Sequence, residues 1–164
     1  MCAGGVPERT FDHAKNVLEF AVEMLEAIKR FNQNHKMDLR VRVGINSGSV
    51  VAGVIGSKKF TFDVWGDAVN VASRMESTGV PNQIQVSQTT YDLLKKDYLF
   101  EERGQQQVKG KGLMITYLYR GRLSEVNYLE MQRVFSRDQK SFSSASLSLP
   151  DEIDMEEDKE KHVE

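Results

Sequence analysis

From Phe11 to Asn34 the apolar residues Ala14, Leu18, Ala21, Leu25, Ile28 and Phe31 recur at steps of three and four. That spacing predicts one long amphipathic helix laid against a flat apolar surface. Thr10 or Asp12 is expected to accept its free first-turn amides, and Asn32 to His35 form its polar end. His13 and His35 read as surface or capping histidines. Leu39 to Ile45 then alternates strictly between apolar residues and Arg or Gly, which predicts a half-buried strand. Ser47-Gly48-Ser49 reads as a turn, Val50 to Ile55 as a second strand, and the two strands as a hairpin. Phe60 to Trp65 is a short extended segment, and a helix runs from Gly66-Asp67 to about Ser77, with Asp67 as its N-cap and Gly79-Val80-Pro81 as its stop. A strand at Ile84 to Ser87, a short helix at Thr89 to Lys96, and two strands at Phe100 to Val108 and Leu113 to Tyr119 complete the pattern. Lys109-Gly110-Lys111-Gly112 joins the last two. The fold class is α+β, without an internal repeat.

Composition sharpens this picture in three ways. At 164 residues, with 40% hydrophobic and 28% charged residues, the chain has room for one compact domain and a tail, and collagenous, fully disordered and disulfide-scaffold classes are excluded. Residues 151–164 carry eight acidic groups against two lysines, so the net charge of −2 divides into about −6 there and about +4 on residues 1–150. Six serines between Ser136 and Ser148 precede that acidic run. Residues 1–121 therefore read as the folded domain and 122–164 as a Ser-rich then acidic tail, disordered over 126–164. Third, the lone Cys2 cannot form an internal disulfide and no run approaches the roughly 18 apolar residues of a membrane span. A reducing, cytoplasmic setting is expected, with an anchor in a longer parent chain left open.

The series Gly44, Gly48, Gly53, Gly56 invites comparison with a phosphate-binding loop, but no Gly-Lys-Ser/Thr follows and strand residues occupy the place of a loop-to-helix junction. More informative are Asn70 and Arg74, four apart on one predicted helix, whose side chains leave the same face one turn from each other. Asp63 precedes that helix on an extended segment, and Lys109 sits on a glycine-flanked turn able to close over a bound molecule. Taken singly, each also fits an ordinary surface role: an ion pair for Arg74, a helix polar position for Asn70, turn charge for Lys109, a solvated strand residue for Asp63.

The exact wording of the segment decides between these. Phe62-Asp-Val-Trp-Gly-Asp-Ala-Val-Asn-Val-Ala-Ser-Arg-Met-Glu-Ser-Thr-Gly79 resembles the signature of class III nucleotidyl cyclase catalytic domains. The resemblance extends to Asp12-His-Ala, to Val43-Gly-Ile-Asn-Ser-Gly-Ser-Val-Val-Ala-Gly-Val-Ile-Gly56 and to Val108-Lys-Gly-Lys-Gly112, and so covers about residues 1–120. It implies a ferredoxin-like fold and two catalytic domains paired head to tail. The site at their interface turns a nucleoside triphosphate into a 3′,5′-cyclic monophosphate and pyrophosphate, with two metal ions, Mg²⁺ or Mn²⁺. By the same resemblance Asn70 orients the ribose, Arg74 steadies charge growing on the α-phosphate, and Lys109 contacts the terminal phosphates. Asp63 takes the purine-reading position, where a carboxylate can accept from the adenine amine but faces the guanine carbonyl with repulsion. ATP is therefore the expected substrate and a second cyclase domain the expected partner; nucleic acid is not.

The resemblance departs from the family pattern at the start of the chain. The family's two metal-binding aspartates lie on a first strand and in a Gly-Asp-x-Tyr-Met stretch whose methionine corresponds to Met1, and none of Asp12, Asp38 or Asp92 fits their pattern. The lysine that usually joins Asp63 at the purine is missing as well. The expectation is a cyclase fold lacking its first strand, first helices and central hairpin, with metal ligands upstream of Met1 or on a partner chain, and inactive alone. A non-catalytic partner that lends its residues to a complete cyclase, a guanylyl cyclase, and a remnant without turnover all remain open.

Overall fold

The computed structural model describes residues 1–124; the predicted disordered tail lies outside the described residues. Helix α1 (His13–His35) is followed by β1 (Val43–Ile45), β2 (Val51–Ile55), β3 (Thr61–Trp65), α2 (Asp67–Ser77), β4 (Ile84–Ser87), α3 (Gln88–Leu94), β5 (Tyr98–Val108) and β6 (Gly112–Arg122). The α+β class stands. Four strands form one sheet in the order β1-β4-β6-β5, and β2 and β3 form a separate two-stranded ribbon.

Strand alternation sorts the sheet's residues between two helical layers. Val43 and Ile45 of β1, and Ile84 and Val86 of β4, join Ala14, Leu18 and Ala21 of α1 in the main core, with Leu94 of α3 and the aromatic residues Tyr98, Phe100 and Tyr117. The periodic stripe of α1 thus finds its flat surface over its first half, whereas Phe31 remains 43% exposed and packs on His35. The alternate residues, Gly44 and Gln85, are direct neighbours in the parallel β1/β4 register. They face α2. An added Cβ on Gly44 would lie 1.9 Å from the backbone nitrogen of Glu76, so α2 rests on the strand backbone itself.

Three sequence expectations are corrected. First, the segment 39–45 does not pair with 50–55: β1 pairs in parallel with β4, and β2 pairs antiparallel with β3, Gly53 opposite Asp63. Second, the strand is shorter than its alternation. The Leu39 amide donates to Asn32 Oδ1, the Leu39 carbonyl accepts from Asn32 Nδ2, and the Val41 amide donates to Asn82 Oδ1. Asparagine side chains occupy the backbone groups that a ladder would need. Third, Asp67 does not cap α2. Gly66 holds the N-cap position at φ 141°, and Asp67, the first helical residue, turns to Lys111 with Oδ2 2.7 Å from Nζ. Asp12 holds the N-cap position of α1, likewise without a side-chain cap bond.

One buried group ties α1 to the far edge of the sheet. The Tyr98 hydroxyl donates to Glu19 Oε1 at 2.9 Å, and Arg122 Nη2 approaches the same oxygen at 2.6 Å. Burial first, and the bond to Glu19 second, push the Tyr98 phenol up to about 12. Because that lies above the ordinary value near 10, the folded state holds the proton more tightly than the unfolded one. The stability this contributes is complete below pH ~10 and is lost as pH rises toward about 12. Thermal melts across that window should fall more steeply for the parent protein than for Tyr98→Phe; parallel curves would contradict the assignment.

Candidate active site

Helix α2 carries the two residues singled out by spacing. Its buried face, Val71 and Met75, packs on Val108 at the end of β5 and on Met114 of β6. Asn70 and Arg74 each precede one of those buried residues, which sets them along one edge of the packed face, one turn apart. Asn70 is exposed and Arg74 half-buried. Neither side chain makes a hydrogen bond or ion pair among the described residues. The guanidinium nitrogens keep contact with solvent, since Thr116 Oγ1 is the one buried side-chain polar atom without a partner among the described residues, and they are open to an anionic acceptor from outside.

Lys109 follows the buried Val108 directly, on the turn that closes the β5–β6 hairpin, where the Lys111 amide donates to the Val108 carbonyl at 2.9 Å. The Lys111–Asp67 ion pair ties this turn to the first residue of α2. Lys109 is exposed and has no partner among the described residues. The fold thus brings Asn70, Arg74 and the Lys109 turn to one helix. Asp63 lies on β3, the strand that runs into α2 through Gly66. Its Oδ1 accepts from the Val64 amide at 2.8 Å, which fixes the half-buried carboxylate at the middle of the ribbon and leaves its other oxygen without a partner among the described residues.

Asp38 and Asp92 are engaged elsewhere. The Arg40 guanidinium holds the Asp38 carboxyl below its ordinary range, with Nη2 2.6 Å from Oδ2, and Lys95 does the same to Asp92 at 2.6 Å. Among the described residues no group of three or more His, Cys, Asp or Glu side chains could hold a metal ion. This donor set does not fit a metal pair by itself, and the chemistry below is derived from the chain's own side chains.

Sequence reasoning overlooked the residues that hold α2 at its ends. Asn46 Nδ2 donates to the Ala68 carbonyl at 3.0 Å in the first turn, and Asn46 Oδ1 in turn accepts from Ser87 Oγ at 2.6 Å. At the other end stand Arg42, Gln85 and Arg103. The signal for Gln85 was available, since a lone amide between Ile84 and Val86 in an apolar strand needs partners. Arg103 gave none.

Comparison with known proteins identifies the family of the domain. The adenylate and guanylate cyclase catalytic domain family matches residues 1–121. An adenylate cyclase of Mycobacterium bovis is 47% identical over 122 residues, which are 74% of this chain and 28% of that protein. A receptor-type guanylate cyclase of Caenorhabditis elegans is 45% identical over 125 residues, 74% of this chain and 10% of that protein. Among solved structures, the guanylate cyclase domain of RhGC from Catenaria anguillulae in complex with GTP superposes with a TM-score of 0.68 at 39% identity, over 73% of this chain and 65% of that one. The chain thus spans about a quarter of its mycobacterial relative and about two thirds of that solved domain. A match along the whole described domain, with relatives far above 30% identity, makes the chain a member of the adenylate and guanylate cyclase catalytic domain family.

Proposed function

We propose that this domain takes part in converting ATP to 3′,5′-cyclic AMP and pyrophosphate at a site shared head to tail with a second cyclase domain, with residues 1–121 as the functional unit. In this reaction the ribose 3′-oxygen forms a bond to the α-phosphorus, the bond to the pyrophosphate oxygen breaks, and the 3′-hydroxyl loses its proton. The observation that carries the reading is the half-buried Arg74 guanidinium, without a partner among the described residues and one turn from Asn70, on the helix against which the end of β5 and the Lys109 turn pack. The Asn70 amide directs a ribose oxygen without adding charge. Arg74 offers planar donors to the α-phosphate as negative charge concentrates there, and Lys109 takes the terminal phosphates as a mobile point charge. Mg²⁺ or Mn²⁺, held by carboxylates of the partner domain, would lower the charge of the triphosphate.

Asp63 supplies the preference for adenine. One oxygen, without a partner among the described residues, is an acceptor for the exocyclic amine, and the other is held by the Val64 amide. Relatives of both the adenylate and the guanylate type match this chain, so the purine is the point to test. In an assembly with a domain that supplies the metal carboxylates, equal ATP and GTP should yield mainly cyclic AMP. Asp63→Cys should weaken that preference by about 1–3 kcal/mol, the scale of one discriminating hydrogen bond. Equal use of both nucleotides by the unmutated protein would show that Asp63 does not set the choice.

A further inference from the structure

Helices end with carbonyls that have no partner within the helix. At the C-terminus of α2 the carbonyls of Arg74, Met75 and Glu76 are taken up, in part by side chains from other elements. The Arg74 carbonyl accepts from the Thr78 amide at 3.0 Å and from Thr78 Oγ1 at 2.8 Å. The Met75 carbonyl accepts from Gln85 Nε2 at 3.1 Å, and the Glu76 carbonyl accepts from Arg42 Nε at 3.2 Å. The Thr78 carbonyl accepts from Arg103 Nη1, which also donates to Gln85 Oε1. Gln85 Nε2 donates its remaining proton to Thr78 Oγ1 at 2.9 Å. Gln85 is 0% exposed, and its amide has both donors and its acceptor engaged. The chain of bonds runs from Arg103 through Gln85 and Thr78 to the backbone of Arg74.

Two backbone features bring these donors to the helix. The irregularity in the β5/β6 register between Glu102 and Gly104 leaves Arg103 as the extra residue, which turns its side chain across the sheet toward Gln85. Gly44, the register neighbour of Gln85, lets the Met75–Glu76 turn approach the strand. Arg42 and Arg103 also place two positive charges at the negative end of the helix dipole. A helix of 11 residues needs neither buried amide nor second guanidinium merely to end. What this arrangement adds is a fixed height and rotation for the last turn, the turn from which Arg74 departs.

We propose that Gln85 and Arg103 are positioning residues of the cyclase site, which act through α2 to hold the Arg74 guanidinium at the α-phosphate. The proposal rests on the role given to Arg74 above. A displacement of about 1 Å at a group that must meet a transition state costs up to about 10²-fold in rate, whereas ground-state binding through other contacts suffers far less. Gln85→Leu and Arg103→Ala should each lower kcat by roughly 10- to 10²-fold with little change in KM for ATP.

The test is a double-mutant cycle in the assembled enzyme, made with Gln85→Leu, Arg103→Ala and Arg74→Ala singly and in pairs. If the clamp acts through Arg74, either substitution should cost less than about twofold once Arg74 is alanine. Arg103→Lys, which restores one donor, should recover part of the loss. Losses of kcat that persist undiminished in the Arg74→Ala background would overturn the proposal, because the two residues would then serve the fold alone. So would an Arg74-dependent rate that is indifferent to both substitutions. A rate unaffected by Arg74→Ala alone would instead overturn the functional reading, and the clamp with it. Arg103 is only half-buried, so its variants decide the matter should Gln85→Leu fail to fold.

Discussion

Arg74→Ala is expected to lower cyclic AMP turnover by roughly 10²–10³-fold, the scale on which removal of one transition-state donor acts. The physical basis is the contrast between its surroundings and its role. The guanidinium is half-buried, lacks an acceptor among the described residues, and stands on a helix fixed at both ends. The backbone that carries it is therefore set before the nucleotide arrives, and no acceptor among the described residues competes with the α-phosphate for its donors. Because the Arg74 side chain forms no bond among the described residues, its loss should leave the thermal melt of the protein nearly unchanged. An unaltered rate would contradict the assignment. A collapse of the melt together with the rate would make Arg74 a structural residue.

The second large effect concerns packing rather than chemistry. Gly44→Ala would set a methyl group 1.9 Å from the Glu76 nitrogen and 2.4 Å from the Met75 carbonyl carbon, both backbone atoms that cannot rotate aside. Either β1 or α2 must move. Overpacking of this kind costs about 3 kcal/mol or more, a fall in Tm on the order of 10 °C for a domain of this size. Gly53→Ala is the control. Its methyl would meet only the Trp65 ring, at 3.8 Å, and should cost less than about 1 kcal/mol. Equal melting temperatures for the two variants would show that α2 does not rest on β1 as described.

The elements themselves were largely legible in the sequence, because their signals are local. The stripe of α1 follows from a repeat of three and four, and the β5–β6 hairpin from two extended runs around Lys109-Gly110-Lys111-Gly112. Partners of strands are not local. The alternation of 39–45 marks the face on which Val43 and Ile45 are buried, yet nothing in it distinguishes an antiparallel neighbour at 50–55 from a parallel one at Ile84–Ser87. Ser47-Gly48-Ser49 looked like a hairpin turn because its composition suits one. In the fold the Ser47 carbonyl and hydroxyl bond instead to Thr89 and Thr90 at the start of α3.

The candidate site divides in the same way. Asn70 and Arg74 share one helix, so their spacing alone placed them together, and the resemblance to a cyclase signature gave the pair its meaning. Lys109 lies 35 residues further along, and only the packing of Val108 on Val71 and Met75 brings its turn to α2. Asp67 reads as a cap in the sequence because the usual pattern puts a carboxylate at that junction. Gly66 takes the junction instead, and the Asp67 carboxylate serves to fasten the Lys109 turn through Lys111. The clamp at Gln85 and Arg103 depends on a sheet order and a bulge that no local pattern encodes.

The most direct test of the account is complementation. The protein is mixed with a cyclase domain that keeps its metal carboxylates but has lost its own transition-state arginine, and cyclic AMP formed from ATP is measured against each partner alone. The account predicts turnover in the mixture well above both backgrounds, which disappears when the added protein carries Arg74→Ala. Turnover no greater than the crippled domain gives alone, or turnover that persists with Arg74→Ala, would contradict it.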